Sequence, residues 1–370
     1  MGLKPRLAFA SIRKLGKKLR DGKFSSVELT EFFLERLERL GPKFNAVATV
    51  TTELALAQAR QADRELADGQ DRGPLHGIPC GVKDLLATRG IPTSWGAAPL
   101  KDQVFDADAT VVVKLREAGA VLAAKLAMVE IAGGLGYQQS NASFTGPGLN
   151  PWDTSRWSGG SSSGPGAAVG GGLVPFAIGS ETWGSIMNPA AFCGITGLRP
   201  TYGRVSRHGA MALSWTMDKL GPMGRTADDC GLVLAAIAGV DPADDTSVDR
   251  PFDWSGETPR RKKFRLATLK GADERVQKAI RKNFRAWLEA HFSPFATGGG
   301  VGGGGGRAGA PRRRRSTRRP PSGWASSTRW WPPTRSMTRW TTSRPGSEAS
   351  PPPCSGWDET PSTTPWTCPW

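Results

Sequence analysis

The feature that most constrains the fold of this chain is an abrupt change of composition near residue 297. Residues 1–297 carry regular apolar runs mixed with acids and bases, whereas residues 298–370 contain no Leu, Ile, Phe or Tyr and a single Val, Val301. Without aliphatic side chains, a segment cannot bury enough apolar surface to offset the entropy lost when its backbone becomes ordered. We therefore predict that residues 1–297 form the folded domain and that residues 298–370 form a low-complexity, disordered tail.

The tail admits three interpretations. It is an Arg-rich arm that binds nucleic acid, an inert disordered tail, or the out-of-frame translation of GC-rich DNA, in which Arg, Pro, Gly, Ser, Thr and Trp codons accumulate. Eleven Arg against three acids give this segment half of the formal net charge of +16, so the total charge is weak support for a nucleic-acid partner. We favour the out-of-frame interpretation, under which the folded domain is incomplete at its C-terminal end, and we expect no nucleic-acid partner.

The cysteines and histidines are not spaced as metal ligands, and none of the five cysteines belongs to a Cys-x-x-Cys pair. No stretch approaches the roughly 20 apolar residues that span a bilayer, and the basic N-terminus lacks the apolar core of a secretory signal. We expect reduced thiols in a cytoplasmic protein that has no metal, no cofactor and no membrane contact.

Helical and extended patterns alternate along the first 297 residues. Amphipathic spacing and capping residues predict helices, and short apolar runs bounded by Gly or Pro predict strands. Because helix and strand follow each other with short links, the sequence predicts an α/β layered domain. The predicted helices cover residues 26–41, 52–68, 109–119, 226–239 and 273–292, the first ending at Gly41-Pro42, and the predicted strands lie within residues 77–86, 120–126 and 172–180.

Three segments carry residue types suited to catalysis: Gly81–Asp84, Ser158–Gly164 and Gly179–Ile186. Taken singly, each is weak, because a Gly/Ser run is usually a flexible loop and a lone Lys is usually a solvated surface charge. Their order and spacing carry more information. A fourth segment, Pro189–Ser206, follows at once with the sequence PAAFCGITGLRPTYGRVS.

In this order the four segments resemble the pattern of the amidase signature family. That pattern is a Lys-Asp after a short apolar strand, then G-G-S-S-G-G, then G-x-D-x-G-G-S-I-R, then P-A-x-F-C-G-x-x-G-L-K-P-T-Y-G-R-V-S. The resemblance covers roughly residues 10–240. It implies the amidase-signature fold, an α/β fold with a central mixed, twisted sheet that is flanked by helices on both faces.

The resemblance also implies a role for each matching residue. Ser185 matches the nucleophile, and Lys83 matches the ultimate base. Ser161 matches the serine that relays the proton between them, and the peptide bond before this serine is cis in the family. The oxyanion hole is implied to consist of four backbone N–H groups, those of Thr182, Trp183, Gly184 and Ser185.

Elementary chemistry supports these roles. A serine hydroxyl is a poor nucleophile until a base removes its proton, and none of the three histidines lies in these loops. A buried lysine can be that base, because desolvation disfavours its charged form and lowers its pKa. A hydroxyl both donates and accepts, so Ser161 can pass a proton from Ser185 to Lys83. Small residues let consecutive N–H groups converge on one oxyanion.

The nucleophile segment departs from the family pattern at three positions. Trp183 replaces a Gly and is interpreted either as lining the acyl pocket or as packing away from the substrate. Glu181 replaces an Asp, and Met187 replaces the Arg that would be its obvious cation. We expect Arg199 or Arg204 to pair with Glu181 instead, or backbone N–H groups to bind its carboxylate.

Three further residues near these segments receive structural interpretations. Asp84, beside Lys83, is expected to anchor its loop. Asp218 is expected either to support the site from behind or to cap a turn. Cys193 is expected to be a core residue rather than a reactive thiol.

The leading hypothesis is a stand-alone amidase that hydrolyses a small-molecule amide to a carboxylate and ammonia or an amine through an acyl-serine intermediate. A competing hypothesis is the glutamine-hydrolysing subunit of a tRNA-dependent amidotransferase, which needs partner subunits, but Trp183 favours the stand-alone enzyme. A hypothesis of another class is an inactive scaffold or binding protein, which an incomplete domain would produce. The sequence leaves open the substrate and the oligomeric state, including a homo-oligomer.

Overall fold

The computed structural model of the protein describes residues 3–133, 143–250 and 252–254. The predicted helix over residues 273–292 and the predicted boundary at residue 297 lie outside the described residues. The same is true of the tail, so its interpretation as out-of-frame translation stays a prediction.

The helices begin where the sequence offers a capping side chain. Helix α2, Ser26–Phe44, opens with a capping box in which Ser25 Oγ accepts from the Glu28 N–H at 3.0 Å and the Glu28 carboxylate accepts from the Ser25 N–H at 2.8 Å. Helix α7, Ala227–Ile237, uses Thr226 and Asp229 in the same way. The remaining helices are α1 (Ile12–Arg20), α3 (Thr52–Ala67), α4 (Thr110–Glu117), α5 (Ser163–Gly170) and α6 (Met187–Cys193).

The predicted end of α2 at Gly41-Pro42 is wrong. The helix continues to Phe44 and ends where Asn45 adopts a left-handed conformation with φ 47°. Pro42 removes only one hydrogen-bond donor near the end of the helix. The last turn is held because Gly41 lets the helix approach Val47, whose side chain a Cβ on Gly41 would meet at 2.8 Å. The Ala46 N–H closes the end of the helix by donating to the Gly41 carbonyl at 3.1 Å.

A six-stranded mixed sheet forms the centre of the domain. Its strands are β1 (Val47–Val50), β2 (Pro79–Lys83), β3 (Val121–Leu126), β6 (Phe176–Glu181), β7 (Thr196–Gly197) and β8 (Lys219–Gly224). Their order across the sheet is β1-β3-β2-β6-β8-β7. Strands β3, β2 and β6 run parallel to one another, while β1, β8 and β7 each pair with their neighbours in antiparallel fashion. The short strands β4 (Leu149–Asn150) and β5 (Asp153–Trp157) form a separate hairpin.

Helices cover both faces of this sheet, each over its own apolar core. Side chains of α1, α4 and α7 pack with Val82, Phe176 and Ile178 in one core. Side chains of α3, α5 and the second half of α2 pack with Leu126 and Ala177 in the other. Because successive strand residues alternate between faces, Phe176 and Ile178 contact one core and Ala177 contacts the other. The predicted α/β fold, with a mixed sheet between two helical layers, is confirmed.

The sheet order also brings the candidate catalytic segments together. Strands β2 and β6 are parallel neighbours, so their carboxyl ends meet at one edge of the sheet. Lys83 is the last residue of β2, and the nucleophile segment begins at the end of β6. Among the helices that the structure describes, none combines the length and the apolar composition needed to cross a membrane.

Candidate active site

Lys83 is fully buried at the end of β2 and holds two hydroxyl groups. Its Nζ donates to Ser161 Oγ at 2.7 Å and to Ser180 Oγ at 2.9 Å. Across the described residues, no carboxylate forms a salt bridge with it, although a buried ammonium normally requires one. Strand β2 therefore places Lys83 where no nearby carboxylate among the described residues neutralises the charge of its protonated form.

The pKa of Lys83 reflects this environment. Burial is the largest cause, and it lowers the pKa from 10.5 to about 7. The negative charges of Asp218 and Glu181 act in the opposite direction without cancelling the effect of burial. Near neutral pH a substantial fraction of the side chain is thus a neutral amine, whose lone pair can accept a proton.

Ser161 lies on the loop of residues 158–162 between β5 and α5, here called the bridging loop. This loop places the Ser161 hydroxyl beside the Lys83 amine. The peptide bond between Gly160 and Ser161 is cis, as the resemblance implied. Gly159 has φ +83° and lies so close to the neighbouring chain segment that a Cβ would stand 2.6 Å from Asn188 Oδ1, so only glycine fits. On the other side of the loop, the Ser161 carbonyl accepts from the Val129 N–H at 3.1 Å. Backbone contacts therefore fix the position of the Ser161 hydroxyl.

The nucleophile loop, residues 182–186 between β6 and α6, is folded around the Glu181 carboxylate. Its Oε2 accepts from the N–H groups of Ile186 at 2.8 Å and Met187 at 2.9 Å, and its Oε1 lies 3.1 Å from Arg199 NH1. Both interactions expected for the Glu181 carboxylate are therefore present: backbone N–H groups donate to it, and Arg199 is the cation paired with it. Arg204, the other candidate, donates to the Arg250 carbonyl. The carboxylate holds the residues just after Ser185 in a tight turn.

The two loops are joined by main-chain contacts next to both serines. The Ser162 N–H donates to the Ser185 carbonyl at 3.1 Å. Asn188 links the loops a second time, because its Oδ1 accepts from the Gly160 N–H at 3.0 Å and its N–H donates to the Gly184 carbonyl at 2.7 Å. Ser185 is 2% exposed. Lys83 and Ser161 are thus in direct contact, and Ser185 lies on the loop fastened to the one that carries Ser161.

The turn predicted to form the oxyanion hole runs from Thr182 to Ser185, between β6 and α6. Gly184 has φ +104°, a conformation that favours glycine. The Trp183 side chain is 84% exposed, so it is not packed within the described part of the domain, and its position relative to the substrate stays a prediction. Met187 is also exposed, and Arg199 supplies the cation beside Glu181 in its place.

Ser180, whose hydroxyl is the second partner of Lys83, is not among the residues predicted from the sequence. The motif contains Ser180, but nothing in a single sequence distinguishes it from the many serines nearby. Asp218 has both of the roles expected for it, since its carboxylate accepts from Thr182 Oγ1 and also caps the turn at the N–H groups of Leu213 and Ser214. It therefore ties the nucleophile loop to the turn before β8.

Asp84 and Cys193 have the structural roles expected of them. The Asp84 carboxylate accepts from the Ser94 N–H at 3.0 Å and forms a buried ion pair with Lys125 at 3.1 Å, which anchors the loop after β2. Cys193 is fully buried, and burial raises the pKa of its thiol to about 12. Within the described ranges, no group of three or more His, Cys, Asp or Glu side chains is arranged to hold a metal ion.

Comparison with known proteins places this chain in a family. The family described as Amidase matches residues 28–290. A glutamyl-tRNA(Gln) amidotransferase subunit of Methylococcus capsulatus is 51% identical over 241 residues, which are 65% of this chain and 49% of that protein. The native peptide amidase from Stenotrophomonas maltophilia has a TM-score of 0.62 and 38% identity, covering 68% of this chain and 52% of that one.

The corresponding amidotransferase subunit from Thermotoga maritima gives a TM-score of 0.57 and 32% identity over 68% of this chain and 51% of that one. The chain thus spans about half the length of the relatives it matches. The family match nevertheless covers most of the chain and includes all three candidate catalytic residues. The resemblance indicated by the motifs is therefore confirmed, and the chain belongs to the amidase family.

Proposed function

We propose that the protein is an amidase that hydrolyses a carboxylic amide to a carboxylate and ammonia or an amine, with Ser185 as nucleophile, Ser161 as proton relay and Lys83 as base. The observation that carries this proposal is the 2.7 Å contact between Lys83 Nζ and Ser161 Oγ, made by a buried lysine that has no carboxylate partner among the described residues. Membership of the amidase family supports the reaction class.

The proposed reaction moves one proton along this path in each direction. Neutral Lys83 accepts the proton of Ser161 while Ser161 accepts that of Ser185, and Ser185 Oγ attacks the amide carbon. The tetrahedral intermediate collapses when the proton returns through Ser161 to the leaving nitrogen, which breaks the C–N bond and leaves an acyl-serine. Water then attacks the ester, gives its proton to the same path, and Ser185 leaves with a proton returned by Ser161.

Ser180 supports the direction of this transfer. A neutral amine has two hydrogens and one lone pair. If one hydrogen is donated to Ser180 Oγ at 2.9 Å, the lone pair can face Ser161 Oγ at 2.7 Å. Ser180 is thereby a positioning residue for the base.

The proposed oxyanion hole is the turn at residues 182–185. In the part of the chain that the structure describes, the N–H groups of Trp183 and Gly184 donate no backbone hydrogen bond. Preorganised donors of this kind typically contribute about 2.7–4 kcal/mol each to lowering the barrier. The exposed Trp183 indole, on the same turn, is proposed to contact the acyl side of the substrate.

The pH dependence of kcat/KM tests the role of Lys83. The neutral amine is the active form, so kcat/KM is expected to be constant above the pKa of about 7 and to fall about tenfold for each pH unit below it. The measurement is the initial rate of hydrolysis of a panel of primary and substituted amides, with circular dichroism at each pH as the control for folding. A profile that stays flat down to pH about 5 would remove Lys83 as the base.

A second candidate function is the glutamine-hydrolysing subunit of a tRNA-dependent amidotransferase. The 51% identity to one subunit of such an enzyme favours it. Trp183, which replaces a Gly beside the nucleophile, favours the stand-alone enzyme because a bulky indole alters the acyl site. Under the first function the partner is a small-molecule amide, and under the second it also includes the other subunits.

Glutamine hydrolysis with and without partner subunits separates the two functions. A stand-alone amidase is expected to hydrolyse amides from the panel alone and to gain no glutaminase activity when the partner subunits of a related amidotransferase are added. Glutaminase activity that appears only with those subunits would replace the first function by the second. The cytoplasmic location, a homo-oligomer and the domain boundary at residue 297 stay predictions.

A further inference from the structure

Thr182, the first residue of the turn proposed as the oxyanion hole, is held at two points by the residues around the start of β8. Its Oγ1 donates to the Asp218 carboxylate, and its carbonyl accepts from Lys219 Nζ at 3.1 Å. Lys219 is the first residue of β8 and the register partner of Glu181, the last residue of β6. The antiparallel pairing of the two strands therefore places the lysine beside the start of the turn.

The carbonyl that Lys219 binds belongs to the same peptide group as the Trp183 N–H. This peptide bond is trans, so its C=O and its N–H point in opposite directions in one plane. A hydrogen bond that holds the carbonyl towards Lys219 therefore holds the N–H away from it. Hydrogen bonds in series also polarise one another, so a donor on the carbonyl strengthens the N–H as a donor.

The Trp183 N–H is available for a ligand, because it has no hydrogen-bond partner among the described residues. Strand β6 lies between β8, which carries Lys219, and β2, which ends at Lys83. An N–H that points away from Lys219 thus points away from the β8 side of the turn. The Gly184 carbonyl is held as well, since it accepts from the Asn188 N–H at 2.7 Å.

The Lys219 side chain has no competing partner in the part of the chain that the structure describes. Its one hydrogen bond there is the contact with the Thr182 carbonyl, and it forms no salt bridge with a described carboxylate. Glu181, its register partner, pairs instead with Arg199 at 3.1 Å. The contact with the turn is therefore what distinguishes this lysine from a cation that neutralises an acid.

We propose that Lys219 is a positioning residue for the oxyanion hole. By binding the Thr182 carbonyl, it turns the Trp183 N–H towards the oxygen of the tetrahedral intermediate. The inference rests on the proposed function and deepens it, because it assigns a residue outside the nucleophile loop to stabilisation of the transition state. An interaction that is made only with the developing oxyanion raises kcat and leaves substrate binding nearly unchanged.

The hydrogen bond to the carbonyl can be observed directly by NMR, because Thr182-Trp183 is the only Thr-Trp pair in the sequence. The full chain labelled with ¹³C at threonine carbonyls and with ¹⁵N in tryptophan gives one signal that correlates this carbonyl with the Trp183 N–H. Lys219→Met is expected to shift the carbonyl ¹³C signal upfield, since a hydrogen bond deshields that carbon. Lys219→Arg retains a donor and is expected to reverse most of the shift.

Lys114→Met is the matched control. Lys114 on α4 also donates to a backbone carbonyl, that of Ala238 at 2.9 Å, and its loss is expected to leave the signal of the Thr182-Trp183 peptide unchanged. An unchanged carbonyl signal in Lys219→Met would overturn the proposal, because the lysine would then not hold this peptide.

The direction of the N–H is tested in the adduct with a fluorophosphonate, whose phosphonyl oxygen takes the place of the oxyanion. Adduct formation on Ser185 is expected to move the Trp183 amide ¹H signal downfield in the unaltered protein, and to move it less in Lys219→Met. An adduct that leaves this signal unchanged in the unaltered protein would overturn the proposal even if Lys219→Met does not fold. Absence of any adduct would contradict the proposed function instead, so the two failures are distinguishable.

Hydrolysis kinetics separate positioning from a merely structural role. Removal of a whole oxyanion donor costs about 10²–10³ in kcat, and the Trp183 N–H is misoriented rather than removed in Lys219→Met. We therefore expect kcat to fall about tenfold with KM nearly unchanged, and Lys219→Arg to recover most of the loss. A raised KM with unchanged kcat would assign Lys219 to substrate binding and overturn the proposal.

Discussion

Replacing Ser185 by Ala is expected to abolish amide hydrolysis, lowering kcat by a factor on the order of 10⁴ or more. The substitution removes the atom that would form the acyl intermediate, and the hydroxyl of Thr182 on the same turn is bound to Asp218. Because Ser185 is small, the fold is expected to persist, as measured by circular dichroism and thermal unfolding. The rate is followed with the best amide of the panel.

Ser163→Ala is the matched control for this change. Ser163 is also a buried serine of the site loops, at the start of α5, but its hydroxyl makes no hydrogen bond within the described ranges. Its loss is expected to leave kcat nearly unchanged. Equal losses in Ser163→Ala and Ser185→Ala would mean that the site tolerates no small perturbation, and the assignment of Ser185 would lose its support.

Ser161→Ala has the second largest expected effect. The variant breaks the proposed hydroxyl path between Lys83 and the nucleophile, so kcat is expected to fall about 10³-fold, the range for loss of a positioned general base. Lys83 keeps its contact with Ser180 in this variant, and the lysine is therefore still held in place. The measurement is single-turnover acylation, which isolates the step that needs the relay.

Ser180→Ala is the control that distinguishes the proton-relay role proposed for Ser161 from the positioning role proposed for Ser180. Both hydroxyls contact Lys83 Nζ, at 2.7 Å for Ser161 and 2.9 Å for Ser180, and both are buried. Ser161 is on the loop joined to that of Ser185, so Ser180→Ala is expected to have the smaller effect. If Ser180→Ala lowered the acylation rate more than Ser161→Ala, the relay would be assigned to the wrong serine.

Much of this site could be predicted from the order of its motifs. Lys83, Ser161 and Ser185 are far apart in sequence, but the motif order identified all three as candidates, and the parallel pairing of β2 with β6 explains why Lys83 meets the segment that carries Ser185. The lowered pKa of Lys83 was expected from burial alone, which is the largest cause in the structure. The residue types were thus enough to predict the candidate site residues at positions where the proposed chemistry requires a specific side chain.

The remaining features depend on packing that one sequence does not record. Arg199 and Arg204 were equal candidates for Glu181, and only the three-dimensional arrangement puts Arg199 within 3.1 Å of the carboxylate. The end of α2 was misjudged because Pro42 usually stops a helix, whereas the contact of Gly41 with the next strand stabilises one more turn. Such choices are decided by neighbours distant in sequence.

The most direct test of the account is the identification of the residue that a fluorophosphonate probe modifies in the folded full-length chain. Peptide mapping by mass spectrometry is expected to find the adduct on Ser185, with slower labelling in Ser161→Ala and none in Ser185→Ala. An adduct on another residue, or labelling that survives Ser185→Ala, would contradict the assignment of the nucleophile. No labelling of well-folded protein would contradict the serine hydrolase itself and would favour the inactive scaffold.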